Sequence, residues 1–268
     1  MKKILPLLAK LFGLVTLSVV TLAPVHAQQA WPDKPVNFIV PFPPGGPVDT
    51  AARLTTQPLG KLWNVTAPID NKAGAGGIVG AQAAAKAPAD GYHYFFAAIH
   101  HSVLPSLKNN LTYDIQKDFV PVGLTARFPI VLVVNPSLPV KSVAELIAYA
   151  KANPNKLSYS SSGTGGGTHL AGELFNSQAK TTMQHIPYKG VAPAINDVLG
   201  GQVPLAFASL PSALNYIKAG KLQAIAISSA KRSSAAPEIP TIAETYPDCV
   251  GEVWVALFAP IGTSPDVV

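Results

Sequence analysis

Two turns carry the residue types from which an anion cradle can be built. Pro41-Phe-Pro-Pro-Gly-Gly-Pro-Val-Asp49 and Ser160-Ser-Ser-Gly-Thr-Gly-Gly-Gly-Thr168 each follow a short apolar run and lead into a helix-like one. A residue without Cβ lets the main chain approach a ligand closely and adopt positive φ, as expected at Gly166. The N–H groups that open the next helix would then meet an anion with the positive end of the helix dipole. In the first turn four prolines stiffen the chain, Gly45 and Gly46 open it, and Asp49 stands where a carboxylate can cap free helix N–H groups. In the second, Ser160, Ser161, Ser162, Thr164 and Thr168 set hydroxyls around Gly163, Gly165, Gly166 and Gly167. The competing reading of that stretch is a flexible surface loop. Neither turn contains Lys or Arg, so any anion held there is held without a formal positive charge.

Other chemistries find little support. A third glycine-rich stretch, Asn71 to Gly80, can also turn into a helix, but Val79 stands where a dinucleotide fingerprint needs glycine. No phosphate-binding Gly-x-x-x-x-Gly-Lys-Ser/Thr and no Gly-x-Ser-x-Gly elbow occur. His100, His101, His169 and His185 lack the paired spacing of a helical metal site. Neither a cofactor nor a metal is therefore expected. Tyr188 and Lys189 end a strand-like run and could reach a cleft, whereas Asp197 lies on a helix whose default is exposure.

These loops need a framework to hold them. Apolar runs at 36–40, 93–97, 130–134, 157–160, 184–188, 203–207 and 222–227 alternate with helical patterns at 143–153, 169–178, 192–199 and 211–219. Ser142-Val-Ala-Glu145 reads as a capping box for the first of these helices. The alternation predicts an α/β architecture with largely parallel sheets, and two loops on separate stretches suggest a cleft between two lobes. The N-terminus gives the compartment. Lys2 and Lys3 precede an apolar stretch that ends at Val25-His26-Ala27, a secretory leader cleaved after Ala27. Its uninterrupted part falls short of the roughly 20 apolar residues of a spanning helix. Removal leaves 241 of 268 residues with 17 basic against 14 acidic groups, so the net charge drops from +6 to +3. No basic run with interleaved aromatics remains, which argues against nucleic acid. Cys249, the single cysteine, excludes an internal disulfide.

Taken together, Trp31-Pro-Asp-Lys-Pro-Val, PFPPGGPVD, DNKAGAGGIVGA, SSSGTGGGTHLAGELF and the long run from His185 to Ser228 resemble the Bug family of periplasmic solute-binding proteins, associated with tripartite tricarboxylate transporters. The resemblance implies a type II periplasmic-binding-protein fold with a ligand cleft between two lobes. It implies a signal peptide over 1–27, a first lobe over 28–128, a second over 129–246, and a return to the first over 247–268, incomplete because relatives continue by a further helix. By position, Phe42, Gly45, Gly46 and Asp49 would form one jaw with Ala98 and Ser102. Ser162, Gly163, Thr164, Gly166, Thr168 and His169 would form the other, with Tyr188, Lys189 and Asp197 in support. The implied ligand is a di- or tricarboxylate or an amino acid, the implied partner a membrane transporter, and the implied state a monomer without enzymatic activity. His100-His101-Ser102 departs from the hydroxyl-rich pattern usual there. A secreted hydrolase or oxidoreductase using the Ser/Gly loops, and a ligand sensor for a receptor kinase, are the competing readings.

Overall fold

Nine strands form one mixed sheet in the computed structural model, which describes residues 31–268; the leader over 1–27 and its cleavage point lie outside the described residues. The strands are β1 (Asn37–Val40), β2 (Ile69–Asn71), β3 (His93–Ala98), β4 (Phe119–Val134), β5 (Ser158–Ser161), β6 (Gln184–Pro187), β7 (Leu205–Ser209), β8 (Gln223–Ile227) and β9 (Glu252–Pro260). They lie in the order β2-β1-β3-β9-β4-β7-β5-β6, with β8 also on β4. Seven helices connect them: α1 (Pro47–Trp63), α2 (Ile78–Ala85), α3 (Ile99–Leu107), α4 (Val143–Ala152), α5 (Gly167–Ala179), α6 (Val191–Leu199) and α7 (Leu210–Lys218).

The sheet is parallel only toward its margins, where β1 pairs with β2 and β3, and β5 with β6 and β7. Its centre is antiparallel, which corrects the expectation of largely parallel pairing. The reason is β4, a 16-residue strand whose first part pairs with β9 and whose last five residues pair with β7 and β8. Two register shifts, between Pro121 and Gly123 and between Leu124 and Ala126, bend it on the way. One half of the sheet thus belongs with β1 to β3 and β9, the other with β5 to β8, and β4 runs through both. Two lobes with a cleft between them follow.

Ser228 ties the crossing segments together. Its N–H donates to the Ile130 carbonyl and its Oγ accepts from the Ile130 N–H. The same Oγ donates to the Gly251 carbonyl, and the Gly251 N–H returns a bond to the Ser228 carbonyl. Each lobe has its own core. Phe95, Ala97, Ile39 and Phe119 pack with Ala81 and Ala84 of α2 in one. Val131, Val133, Ala206 and Ala208 pack with Ile195 and Val198 of α6 in the other. Fully burying each large side chain contributes about 1.5–3 kcal/mol. The capping box over Ser142–Glu145 is half formed: Ser142 Oγ accepts from the Glu145 N–H at 3.1 Å, but Glu145 reaches past the cap to the N–H of Lys141 at 2.7 Å.

Candidate functional site

Five helices begin at one cavity. Its wall includes Gly46 to Val48 at the start of α1, Ala98 and His100 at α3, Gly167 and Thr168 at α5, Gly190 to Pro193 at α6, and Ser209 before α7. The connectivity explains the convergence, since each of these helices follows a strand end, and the ends of β3 and β7 reach the middle of β4, beside Ala126 and Ile130, from opposite directions. In none of the five does the residue before the first turn supply a side-chain cap. Each terminus presents N–H groups and a partial positive charge, worth roughly half an elementary charge. Phe42, Pro43, Pro44, Phe128, Ser162 and Val253 complete the wall, around about 570 Å³ of empty space that includes open solvent. Among the described residues, no charged side chain lines it.

The first loop is braced by one carboxylate. Asp49, 2% exposed, accepts from the Gly45 N–H at 2.9 Å, from Arg53 Nε and Nη2 at 2.9 and 3.0 Å, and from Asn71 Nδ2 at 2.9 Å. It therefore clamps the turn that precedes the helix and does not cap the helix N–H groups. Burial opposes its ionisation, but the bonds from Arg53, Gly45 and Asn71 outweigh that and hold its carboxyl below the ordinary value. Asn71 also donates to the Phe42 carbonyl at 3.0 Å, which fixes the ring at the cavity edge.

The second loop is braced by neutral groups. The Ser162 N–H donates to Thr168 Oγ1 at 2.9 Å, the Gly163 N–H to Ser161 Oγ at 3.1 Å, and the Gly165 N–H to His169 Nδ1 at 3.2 Å. Ser161 Oγ is 2.6 Å from His185 Nε2, and the His185 ring packs between His169 and Tyr159 at 4.1 and 5.1 Å. Tyr159 in turn donates to Glu173 at 2.6 Å. Burial, with the neighbouring His169 next, pushes His185 down to about 4. Because the loop consumes the amides of Ser162, Gly163, Gly165 and Gly166 internally, the N–H groups left for a ligand are that of Thr164 and those of the first turn of α5.

Gly166 has φ −77°, not a positive value, so the expectation about its conformation is corrected. What requires glycine there is a neighbour: a Cβ would stand 2.2 Å from His100 Nε2. His100 is 5% exposed, lies 4.8 Å from the Phe42 ring, and has neither ring nitrogen hydrogen-bonded among the described residues. Burial, and after it His101 and His169, lower its pKa to about 3. His101 is a support instead. Its Nδ1 accepts from the Ala98 N–H at 3.0 Å, which leaves Nε2 to donate toward the Gly77 carbonyl at 3.3 Å.

The cavity brings together Phe42, Gly46, Ala98, Ser162 and Thr168. An adjoining outer cavity, sharing Phe42, Pro43 and Ser162 with it, collects Gly163, Thr164, Tyr188 and Lys189 with Gly74 to Ile78 and Lys108. Neither wall includes Gly45, Asp49, Ser102, Gly166, His169 or Asp197. Ser102 is exposed and bonds the Ile99 carbonyl at 2.8 Å. Asp197 accepts the Tyr188 hydroxyl, whose pKa burial and this carboxylate raise to about 12. Sequence reasoning missed His100, Phe128, Val191 to Pro193, Ser209 and Val253 as wall residues. Gly190-Val-Ala-Pro193 and Ser209-Leu-Pro211 carried a usable signal, because a cap residue followed closely by proline marks a helix start.

A cleft between two lobes of a mixed sheet, walled by helix N-termini, is the architecture of a solute-binding receptor. A family model described as "Tripartite tricarboxylate transporter family receptor" matches residues 51–268, and the chain belongs to that family. It is 39% identical over 253 residues to Protein BugT of Bordetella pertussis, covering 92% of this chain and 76% of that one. Among solved structures it is similar to R. palustris Rpa4515 with adipate, at 37% identity and TM-score 0.86 over 88% of this chain and 80% of the other. MatC (Rpa3494) from Rhodopseudomonas palustris with bound malate matches at 31% identity and TM-score 0.82, over 88% and 81%. The resemblance to the Bug family is thereby borne out. The family consists of periplasmic solute-binding receptors and not enzymes, so the hydrolase and oxidoreductase readings fall.

Proposed function

We propose that this receptor captures a small organic acid in the inner cavity and presents it to the membrane subunits of a tripartite tricarboxylate-type transporter. The observation that carries the reading is the convergence of five helix N-termini, none capped by the side chain before its first turn, on a cavity without a charged wall residue. Such a site favours an anion through fixed dipoles and needs no arginine clamp. The relatives solved with adipate and malate support a carboxylate as the anion. In this reading Phe42, Gly46, Ala98, Ser162 and Thr168 meet the ligand. Gly163, Thr164, Tyr188 and Lys189 face its outer end, and Gly45, Asp49, Ser102, Gly166, His169 and Asp197 shape the loops and helices behind it.

The reading extends to the rest of the chain. Residues 1–27 are a leader removed after Ala27, 28–128 with 247–268 make one lobe, 129–246 make the other, and the receptor works as a monomer. Ligand closes the lobes about the crossing at Ile130, Ser228 and Gly251, since one small anion must be desolvated by jaws on separate lobes. A thermal-shift screen across carboxylates and amino acids tests it, because a ligand raises the melting temperature by mass action. At least one carboxylate should raise it and reduce the radius of gyration in solution scattering. A chain that no carboxylate stabilises would sink the reading.

A further inference from the structure

The inner wall says more about the ligand than that it is an anion. Among the described residues its polar side chains are His100, Ser162, Thr168 and Ser209, and every other wall residue is apolar or glycine. Phe42, Phe128, Val191 and Val253 offer broad apolar surface, which rewards a ligand whose body is also apolar. A second carboxylate would have to share the same helix N-termini as the first, and one placed against the apolar side chains would lose its hydration without a hydrogen-bond partner, which is a heavy cost. The lysines nearest to hand, Lys108 and Lys189, line the outer cavity and are solvent-exposed.

His100 is the wall residue whose chemistry is unspent. It bridges the two glycine-rich loops, with its ring beside Phe42 of the first and its Nε2 facing Gly166 of the second. It is more than nine-tenths buried, both nitrogens lack partners among the described residues and have almost no accessible surface, and Nε2 abuts Gly166, so a ligand reaches a nitrogen only as the ring turns toward the cavity. A buried polar group without a partner is rare and costly, and a hydrogen-bonding ligand removes the cost. A neutral imidazole offers one N–H donor and one acceptor, and so suits a carboxylate oxygen without adding charge.

We propose that the inner cavity takes a monocarboxylate with an apolar body, aromatic or branched aliphatic, and that His100 donates a hydrogen bond to its carboxylate. The proposal rests on the carboxylate reading above and narrows it. Four probes at pH 7 test it by calorimetric titration: benzoate, 4-methylpentanoate, adipate and malate. One of the two monocarboxylates should bind at least tenfold more tightly than either dicarboxylate. Dicarboxylates that bind as tightly as the monocarboxylates overturn the proposal and leave the carboxylate reading standing. Failure of all four, joined by failure of citrate and glutamate, overturns that reading itself.

The histidine is tested separately. His100→Phe keeps a ring beside Phe42 and removes the donor, so it should weaken the preferred monocarboxylate about tenfold with the melting curve of the free protein little changed. Equal affinity in the variant overturns the role of His100. Should that variant fold poorly, His100→Gln retains a side-chain donor and should bind within a few-fold of the parent, and a loss as large as a tenfold weakening there counts against hydrogen bonding as the cause.

Discussion

The two glycine-rich loops do the same job with opposite chemistry. Each delivers a helix N-terminus to the inner cavity, yet the first is clamped by the Asp49–Arg53–Asn71 cluster and the second by serine, threonine and histidine side chains. The difference shows that a receptor for anions can keep charge near its site without letting charge line it. In the first loop the carboxylate is turned away from the cavity and neutralised by Arg53. In the second no ion pair is needed, because hydroxyls accept from the loop amides directly. Ionic bracing should respond to acid only at low pH, and neutral histidine bracing at milder pH.

The strongest way to break the comparison is Gly166→Val. A side chain there must displace His100, which belongs to the first lobe, so affinity for the bound carboxylate should fall by more than about a hundredfold. Calorimetry beside circular dichroism of the folded variant checks this, and a tolerant Gly166 would show that the lobes do not close onto His100. Next in size is Asp49→Ala, which strands the Gly45 N–H, Asn71 and half-exposed Arg53. It should cost about 2–3 kcal/mol in denaturant unfolding. A cost as small as that of Ser161→Ala would mean that the ionic clamp is no stronger than the neutral one.

Acid titration sharpens the same contrast. His185 falls from 6.5 to about 4 in the folded chain, as do His101 to about 4 and His100 to about 3, so the unfolded state binds protons first as pH drops. Stability is fully present above about pH 6.5 and is lost as pH falls toward 4. Asp49, depressed below its usual 3.8, withdraws its contribution only as pH falls below that value. Melting curves should therefore drop first through the histidine window, less steeply in His185→Gln. An unchanged slope in that variant would remove His185 from the cause. Thr168→Ala deletes one neutral acceptor for Ser162 and should weaken ligand by about three- to tenfold. Lys189→Met, at an exposed lysine of the outer cavity, should change affinity less than about twofold at physiological salt. A dominant Lys189 effect would replace dipoles by an ion pair as the source of affinity.

Much of the framework was legible because strands such as Ile130–Val134 are unbroken apolar runs and helices such as Val191–Leu199 carry clean apolar periodicity. The first part of β4 was not. Pro121, Gly123, Leu124 and Arg127 are exposed and break the alternation, and the segment is a strand because β9, more than a hundred residues later, pairs with it. That tertiary pairing is also why the sheet centre is antiparallel. At the site, the loops announced themselves through glycine and proline, but whether each amide faces a ligand or its own loop depends on side chains such as His169 and Asp49. Gly166 shows the limit most clearly. Its type was informative, but the reason for it is a histidine sixty-six positions away.

Recognition through helix N-termini has an evolutionary corollary. A main-chain N–H is not encoded by any one codon and survives every substitution except proline. In the proposed reading, anion capture at α1, α3, α5, α6 and α7 is therefore buffered against point mutation, while the apolar side chains of Phe128 and Val253 can drift. A lineage built this way can exchange one organic acid for another by altering a few wall residues, without ever passing through a form that has lost its grip on carboxylates.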